Sequence, residues 1–202
     1  MNSFKGKAGL AAATIMSIAL AGCVSFGAKP PPQLLSLTAE HSAPAGEART
    51  IAPGSGITVV TPDAVQKLAT ARIPVQVDDA SVAYVKKAMW VDAPRRIFAG
   101  LMVETLKAAG TPVVDSDHFA QSPGRQLSGT LLDFGVDART STAVVTFDAV
   151  LSKPGGGAIE TRRFTATAPV GGDIEATSAA RAINSAANKV ATDVTAWIGG
   201  KG

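Results

Sequence analysis

Apolar and polar residues follow a pattern along this chain that changes its period several times. Apolar residues at every second position are typical of strands, and apolar residues spaced by three and four are typical of helices. The segments with strand character are 33–38, 57–61, 72–77, 81–85, 111–114, 126–136, 143–151 and 159–168. Because the last three are long and are joined by short polar turns, they predict an antiparallel meander.

Two features refine the earlier strands. Pro74 lies inside 72–77, and because proline has no amide hydrogen to donate, it predicts that this strand lies at a sheet edge. Asp78 and Asp79 separate this strand from 81–85 and predict a hairpin turn. The alternative is a carboxylate pair for acid–base chemistry, but neighbouring strand residues point in opposite directions.

Two segments have helical spacing. In the first, Asp92 is the predicted N-cap, Pro94 fits the first turn and Gly110 ends the helix. The second helix is predicted from about 174 to 198, with Asp173 as its cap. We also expect Trp90, just before the first helix, to be buried, with an exposed interface tryptophan as the alternative.

Apolar faces indicate how these elements pack. Leu132, Phe134 and Val136 recur at period two and predict the inward face of the first meander strand. The second helix carries a stripe with spacings of four and three, which we expect to lie on the sheet; a coiled-coil partner is the alternative. The stripe consists of Ile183, Ala187, Val190, Val194 and Trp197. The predicted fold class is α/β of the α+β type, an antiparallel-rich mixed sheet with two main helices packed on one face.

The N-terminus has the three zones of an export signal. Lys5 and Lys7 supply positive charge, and no acidic residue precedes Glu40. The apolar stretch 8–21 is shorter than the roughly 20 residues that a stable membrane-spanning helix needs. Charge, a short apolar run and small residues at its end together predict a secretory signal, with a single membrane-spanning anchor as the alternative.

The signal ends in Leu20-Ala21-Gly22-Cys23, which resembles the bacterial lipobox. Cys23 is the only cysteine in the chain, so an exported domain can form no internal disulfide. We therefore expect cleavage before Cys23 and acylation of its thiol, which would bind the protein to a membrane. An ordinary secreted protein with an incidental cysteine is the alternative. Val24 follows where an aspartate would resemble an inner-membrane retention signal, so outer-membrane sorting is expected.

These features divide the chain into a signal peptide at 1–22, a lipid anchor and Pro-rich tether at 23–32, and a single domain at 33–202. Removal of Lys5 and Lys7 with the signal leaves 17 basic and 16 acidic residues, a net charge of +1. The basic residues are scattered, which argues against a nucleic-acid surface.

Few residues suggest chemistry. Asp115, Asp117 and His118 could hold a divalent ion, although a polar loop is the simpler interpretation; the other histidine, His41, lies in the loose segment 41–56. The chain has no Gly-x-Ser-x-Gly elbow, and Cys23 is committed to lipid. We therefore predict no catalytic residues, no metal site, no cofactor and no enzymatic activity.

Several motifs occur together in one order. They are Leu34-Leu35-Ser36-Leu37, Ile57–Pro62 with Ile-x-Val-x-x-Pro spacing, Arg72-Ile73-Pro74-Val75 with Tyr84, Trp90–Pro94, and the helical segment 179–198. This order resembles the auxiliary lipoproteins of ABC-type transport systems, the family that accompanies MCE-domain lipid-trafficking proteins. The resemblance implies a non-catalytic lipoprotein on the periplasmic face of the outer membrane. It also implies an MCE-type periplasmic protein as the partner.

Alternatives to that function remain on sequence grounds. A lipopolysaccharide-assembly lipoprotein also combines a sheet with two helices, but it would need a more basic face than Arg162 and Arg163 provide. A structural envelope lipoprotein is neither supported nor excluded, and self-association is left open. For the contact surface we expect a sheet edge left open by the short early strands, away from Pro74, because an edge offers unpaired backbone groups.

Overall fold

A computed structural model describes residues 34–46, 48–114, 124–153 and 157–200 of the chain. These residues form a mixed seven-stranded sheet and two α-helices. In chain order the elements are β1 (Ile57–Val59), β2 (Asp63–Ala64), a 3-10 turn (Gln66–Leu68), β3 (Arg72–Gln76), β4 (Val82–Met89), α1 (Pro94–Ala108), β5 (Arg125–Asp137), β6 (Thr142–Ser152), β7 (Glu160–Pro169) and α2 (Ala176–Gly199). The predicted fold class is confirmed.

Strand β5 is the centre of the sheet. Along one edge it pairs in parallel with β1, then β2 and then β3, and along the other edge it pairs antiparallel with β6. The main strand order is β4-β3-β5-β6-β7, so β4 and β7 are the outer strands. The meander predicted for the last three strands is confirmed, because β6 also pairs antiparallel with β7 over its whole length.

The prediction that Pro74 marks an edge strand is wrong, because β3 lies between β4 and β5. Pro74 is tolerated there because it sits at an irregularity. The β3–β4 register shifts between Arg72 and Pro74, and the pairing of β3 with β5 begins only at Val75. The neighbouring residue on β5 is Gly135, where a Cβ atom would lie 2.4 Å from the Pro74 carbonyl oxygen. Absence of a side chain at Gly135 therefore lets the proline strand enter the sheet.

The predicted inward face of β5 is also partly wrong. The β5–β6 register shifts between Leu131 and Asp133, and this irregularity exchanges the two faces. As a result Leu131, Phe134 and Val136 are buried, whereas Leu132 is only half-buried. A strict two-residue period could not reveal the extra residue.

Two predicted strands are reduced to single bridges. Leu35 bridges Trp90, and Val113 bridges Ile57, both in parallel. The neighbouring residues of 34–40 and 111–114 lie outside the regular strands. Short apolar runs of this kind fit an extended segment as well as a strand, so sequence overestimates their pairing.

Both helices begin later than their predicted caps. The N-cap of α1 is Ala93; the Asp92 carboxylate instead accepts a hydrogen bond from the Ala93 amide at 2.6 Å. Pro94 occupies the first turn and Gly110, at φ +82°, follows the last turn, as predicted. The N-cap of α2 is Glu175 rather than Asp173, and Glu175 forms a reciprocal capping box with Ser178.

The helices cover the same face of the sheet. Phe147 of β6 and Phe164 of β7 are register partners and so share a face. The Phe98 ring of α1 lies 5.3 Å from that of Phe147, and the Trp197 ring of α2 lies 5.6 Å from that of Phe164. Within the described residues, no helix combines the length and apolarity needed to cross a bilayer.

The α2 stripe packs inside the domain, as predicted. Ile183, Ala187, Val190 and Val194 are fully buried. Trp197 is only partly buried, and Ile198 takes the corresponding core position. The stripe is therefore part of this chain's own core, not a free coiled-coil face.

The first described residues form an N-terminal strap, residues 34–43, that is tied to α2. The side-chain oxygen of Asn184 accepts a hydrogen bond from the amide of Thr38, and that of Asn188 accepts one from the amide of Glu40. Asn188 also donates to the Thr38 carbonyl at 2.9 Å. Because Asn188 is buried, these bonds fix the path by which the chain enters the domain.

Trp90 anchors the aromatic centre of the core. It is 1% exposed, and its ring lies 5.5 Å from that of Phe134, which in turn lies 6.4 Å from that of Phe98. The prediction that Trp90 is buried is confirmed. Its indole nitrogen has no hydrogen-bond partner among the described residues, so its contribution comes from packing.

We predict that Trp90→Ala lowers the free energy of unfolding by about 3–5 kcal/mol, because it leaves a large cavity under α1. Trp90→Phe should cost clearly less, since the lost N–H makes no hydrogen bond. Denaturant unfolding of both variants, with the partly exposed Trp197→Ala as the control, measures the difference. A Trp90→Ala protein as stable as the parent would contradict this description of the core.

Candidate binding surfaces

The sequence-predicted site residues fall into two groups. Cys23 and the Asp115, Asp117 and His118 cluster lie outside the described residues. His41 is exposed within the N-terminal strap. In the parts of the chain that the structure describes, no three side chains of the His, Cys, Asp and Glu types are grouped as a metal site.

Asp78 and Asp79 form a hairpin turn, as predicted. The Asp78 carboxylate accepts hydrogen bonds from the amides of Ala80 and Ser81, at 2.9 and 2.8 Å. The bond from the Ala80 amide is the main reason why the pKa of Asp78 is lowered. A carboxylate held ionised in this way closes a turn and is poorly suited to general acid catalysis.

On the uncovered face of the sheet, β6 and β7 carry a compensated pair of charges. Arg163 on β7 lies directly opposite Asp148 on β6 and donates two hydrogen bonds to its carboxylate, at 2.5 and 2.6 Å. These bonds hold the pKa of Asp148 below its usual range. Since Arg163 is already paired, it offers little free charge to a phosphorylated glycolipid.

A small cleft on this face lies between the 3-10 turn and strands β3, β5 and β6. Its volume is about 190 Å³, and Lys67, Gln76 and Asp133 contribute polar groups to its walls. The Lys67 ammonium is 2.6 Å from an Asp133 carboxylate oxygen. Typical small-molecule sites are roughly 300–1,000 Å³, so this cleft is small for a drug-sized ligand.

The outer edge of β7 has no strand partner among the described residues. The amide of Val170 donates to the Ser141 carbonyl at 2.8 Å, so this amide points toward β6. In an antiparallel ladder the amide direction alternates along the strand. The amides that point away from β6 are therefore those of Thr161, Arg163, Thr165 and Thr167.

Pro169 continues this series on the same edge. Its missing amide hydrogen would point outward, so the proline costs no bond within the sheet. This outward direction explains why a proline can end β7 without disturbing the register of the last pair, Pro169 with Thr142. The edge is thus a regular row of backbone donors and acceptors that ends at Pro169.

A shallow groove runs beside this edge, between β7 and the last turns of α2. Its walls include Arg162, Phe164, Asp193 and Trp197. The Arg162 guanidinium lies 5.1 Å from the centre of the Phe164 ring, which packs against the half-buried Trp197. Aromatic and arginine side chains beside an unpaired edge are typical of protein-binding surfaces.

One family model matches most of this chain and identifies the family to which the chain belongs. The model of the ABC-type transport auxiliary lipoprotein component matches residues 36–195, from the N-terminal strap to the last turns of α2. This chain belongs to that family. The sequence resemblance to this family is therefore confirmed, and the auxiliary lipoprotein's motif residue Trp90 lies in its core.

Two solved structures agree with the fold of the auxiliary lipoprotein. A Xanthomonas campestris protein of the DUF330 family is 18% identical with a TM-score of 0.67, covering 82% of this chain and 94% of that one. An uncharacterized protein is 13% identical with a TM-score of 0.62, covering 74% and 96%. The PelC dodecamer from Paraburkholderia phytofirmans is 14% identical with a TM-score of 0.41, covering 72% and 92%. No curated protein matches this sequence.

Sequence reasoning missed two features of this auxiliary lipoprotein. The first is the pair Asn184 and Asn188, whose spacing of four residues places both amides on one side of α2. The second is the open edge of β7, for which the only sequence signal is Pro169 at the end of an otherwise regular strand. The expected open edge of the early strands belongs to β4, an outer strand of the sheet, whereas β1, β2 and β3 all pair with β5.

Proposed function

We propose that this auxiliary lipoprotein is a non-catalytic component of an MCE-type ABC lipid-transport system. The family match over residues 36–195 is the observation that carries this proposal. The cleft beside Lys67 is small, and on the open sheet face Lys67 is paired with Asp133 and Arg163 with Asp148. These features suit a protein that works by binding another protein.

Membrane attachment is the second part of the proposal. Residues 1–22 are removed as a signal, Cys23 is acylated, residues 23–32 form the tether and residues 33–202 form one domain. Val24 directs the protein to the outer membrane, where the domain faces the periplasm. In support, the first described residues, 34–43, are tied to the sheet and to α2, so a pull on the tether would be transmitted to the folded domain.

The third part concerns the partner's binding site. We place it at the open edge of β7, where an extended segment of the MCE-type protein adds a strand to the sheet. Backbone hydrogen bonds supply most of the affinity in strand addition, and neighbouring side-chain grooves supply specificity. The groove beside Phe164 and Trp197 is the nearest surface for such side chains.

We predict that Cys23→Ala abolishes acylation and leaves an unprocessed or soluble protein. The thiol is the only group in the chain that can take the thioether-linked lipid, and each buried methylene of an acyl chain contributes about 0.8 kcal/mol to membrane binding. Mass spectrometry of the mature N-terminus and fractionation of cells measure both effects. Cleavage elsewhere, or an unmodified Cys23 in the parent, would refute the anchor.

We predict that Thr167→Pro abolishes capture of the MCE-type partner while the domain remains folded. Proline removes one outward-pointing amide, as Pro169 does naturally two residues later, and leaves the β6 ladder intact. Thr167→Val is the matched control, because it changes the side chain but keeps the amide. The measurement is affinity capture from an envelope extract with both variants and the parent, together with thermal unfolding to verify the fold.

The identity of the captured protein discriminates between functions. An MCE-type protein recovered with the parent and with Thr167→Val, but lost with Thr167→Pro, is the expected result. A barrel of the lipopolysaccharide pathway would favour the assembly-lipoprotein alternative. Recovery of further copies of this chain alone would assign the β7 edge to self-association instead.

A further inference from the structure

We propose that one end of the sheet rests on an anionic lipid surface, the membrane that holds the anchor. This inference rests on the proposed acylation of Cys23. The surface concerned, named here the entry patch, lies where the chain enters the domain and combines exposed apolar residues with basic ones. The entry patch consists of Leu34, Met89, Val91, Arg72, Lys86 and Lys87.

The apolar half of the entry patch lies on the side of the sheet opposite the helices. Leu35 donates a backbone hydrogen bond to Met89 and accepts one from Val91, which places it alongside Trp90. The side chain of Trp90 is buried under the helices, so its strand neighbours Met89 and Val91 point to the other face. They are 37% and 53% exposed, and Leu34 is 51% exposed. Exposed apolar side chains grouped in this way are a mark of an interaction surface.

Basic residues lie next to Met89 along β4 and across the β3–β4 pair. Arg72 is the register partner of Met89, and its guanidinium lies 4.3 Å from the centre of the Tyr84 ring. Lys86 and Lys87 precede Met89 in a bulge of β4, where Lys87 has φ 55°. Both lysines are exposed, and within the described ranges neither ammonium has an ion-pair partner.

The acidic residue that follows the entry patch along the chain is already compensated. Asp92 is the nearest carboxylate along the chain after Val91. It accepts the hydrogen bond of the Ala93 amide and lies 3.5 Å from the Arg96 guanidinium. The uncompensated local charge is therefore positive, which is complementary to anionic phospholipid headgroups.

The length of the tether favours a membrane as the surface that contacts the entry patch. Leu34 is eleven residues after Cys23, and a fully extended chain of that length spans at most about 40 Å. A membrane that holds acyl chains on Cys23 is therefore within reach of the entry patch. A surface with apolar side chains beside lysines is suited to the boundary between headgroups and acyl chains. The β7 edge lies at the other side of the sheet and stays available to the partner protein.

The test uses the full-length protein, purified after natural processing and reconstituted into vesicles of phosphatidylethanolamine and phosphatidylglycerol. A water-soluble amine-reactive reagent labels the exposed lysines, and mass spectrometry gives the labelling rate at each site. Lys86 and Lys87 should be labelled several-fold more slowly in vesicles than in neutral detergent, whereas Lys153 and Lys189 should not change. The N-terminal peptide in the same spectra reports whether Cys23 is acylated, so failure of the anchor and failure of the patch are distinguishable.

Variants measure the contribution of the patch itself. In the soluble form of the Cys23→Ala protein, co-sedimentation with the same vesicles should fall at least about fivefold for each of Lys86→Glu and Lys87→Glu, and further for Met89→Ser with Val91→Ser. Lys153→Glu with Ile159→Ser, a similar pair of exposed residues near the start of β7, should leave sedimentation unchanged.

Three results would overturn the proposal. The first is equal labelling of Lys86, Lys87 and Lys153 on vesicles that carry acylated protein. The second is co-sedimentation that patch variants and control variants reduce alike. The third is a labelling rate of Lys86 and Lys87 in detergent that falls as the protein concentration rises. That result would assign the entry patch to contact between copies of the chain.

Discussion

The double pairing of β5 is the constraint on which the rest of this domain depends. One edge of this strand receives three separate early segments in parallel, and the other receives β6 in antiparallel pairing. Because β1, β2 and β3 are short, none could form a stable sheet alone, and β5 gives each of them a partner. The same arrangement brings Phe134 beneath Trp90 and Phe98, so the sheet register and the aromatic core are set together.

Sequence patterns predicted the elements well where packing follows a simple period. The meander, both helices and the α2 stripe follow from regular spacing of apolar residues, and the burial of Trp90 follows from its position just before the first helix. The errors occur where the period is broken or where a long-range contact decides. Leu132 was assigned to the core because the irregularity beside it leaves no local signal, and Pro74 was assigned to an edge because its accommodation depends on Gly135, 61 positions later.

The binding surfaces were harder to predict than the fold. An open edge is a property of the whole sheet, and only the observed strand order identifies β7 as an outer strand. Which amides of β7 point outward is known only from one hydrogen bond, which the Val170 amide donates to the Ser141 carbonyl. Likewise, the apolar residues of the entry patch come from two distant segments that a backbone bridge brings together. The sequence alone, however, predicted the anchor at Cys23 and indicated the family.

In the proposed arrangement the entry patch faces the membrane and the β7 edge faces the partner protein. Photo-crosslinking in intact cells tests this account most directly, with a photoreactive residue placed at position 167 on β7, at 91 in the entry patch or at 192 on the exposed side of α2. The account predicts a discrete adduct with an MCE-type protein from position 167, lipid adducts from position 91 and neither from position 192. The same protein adduct from positions 91 and 192, with none from 167, would contradict it.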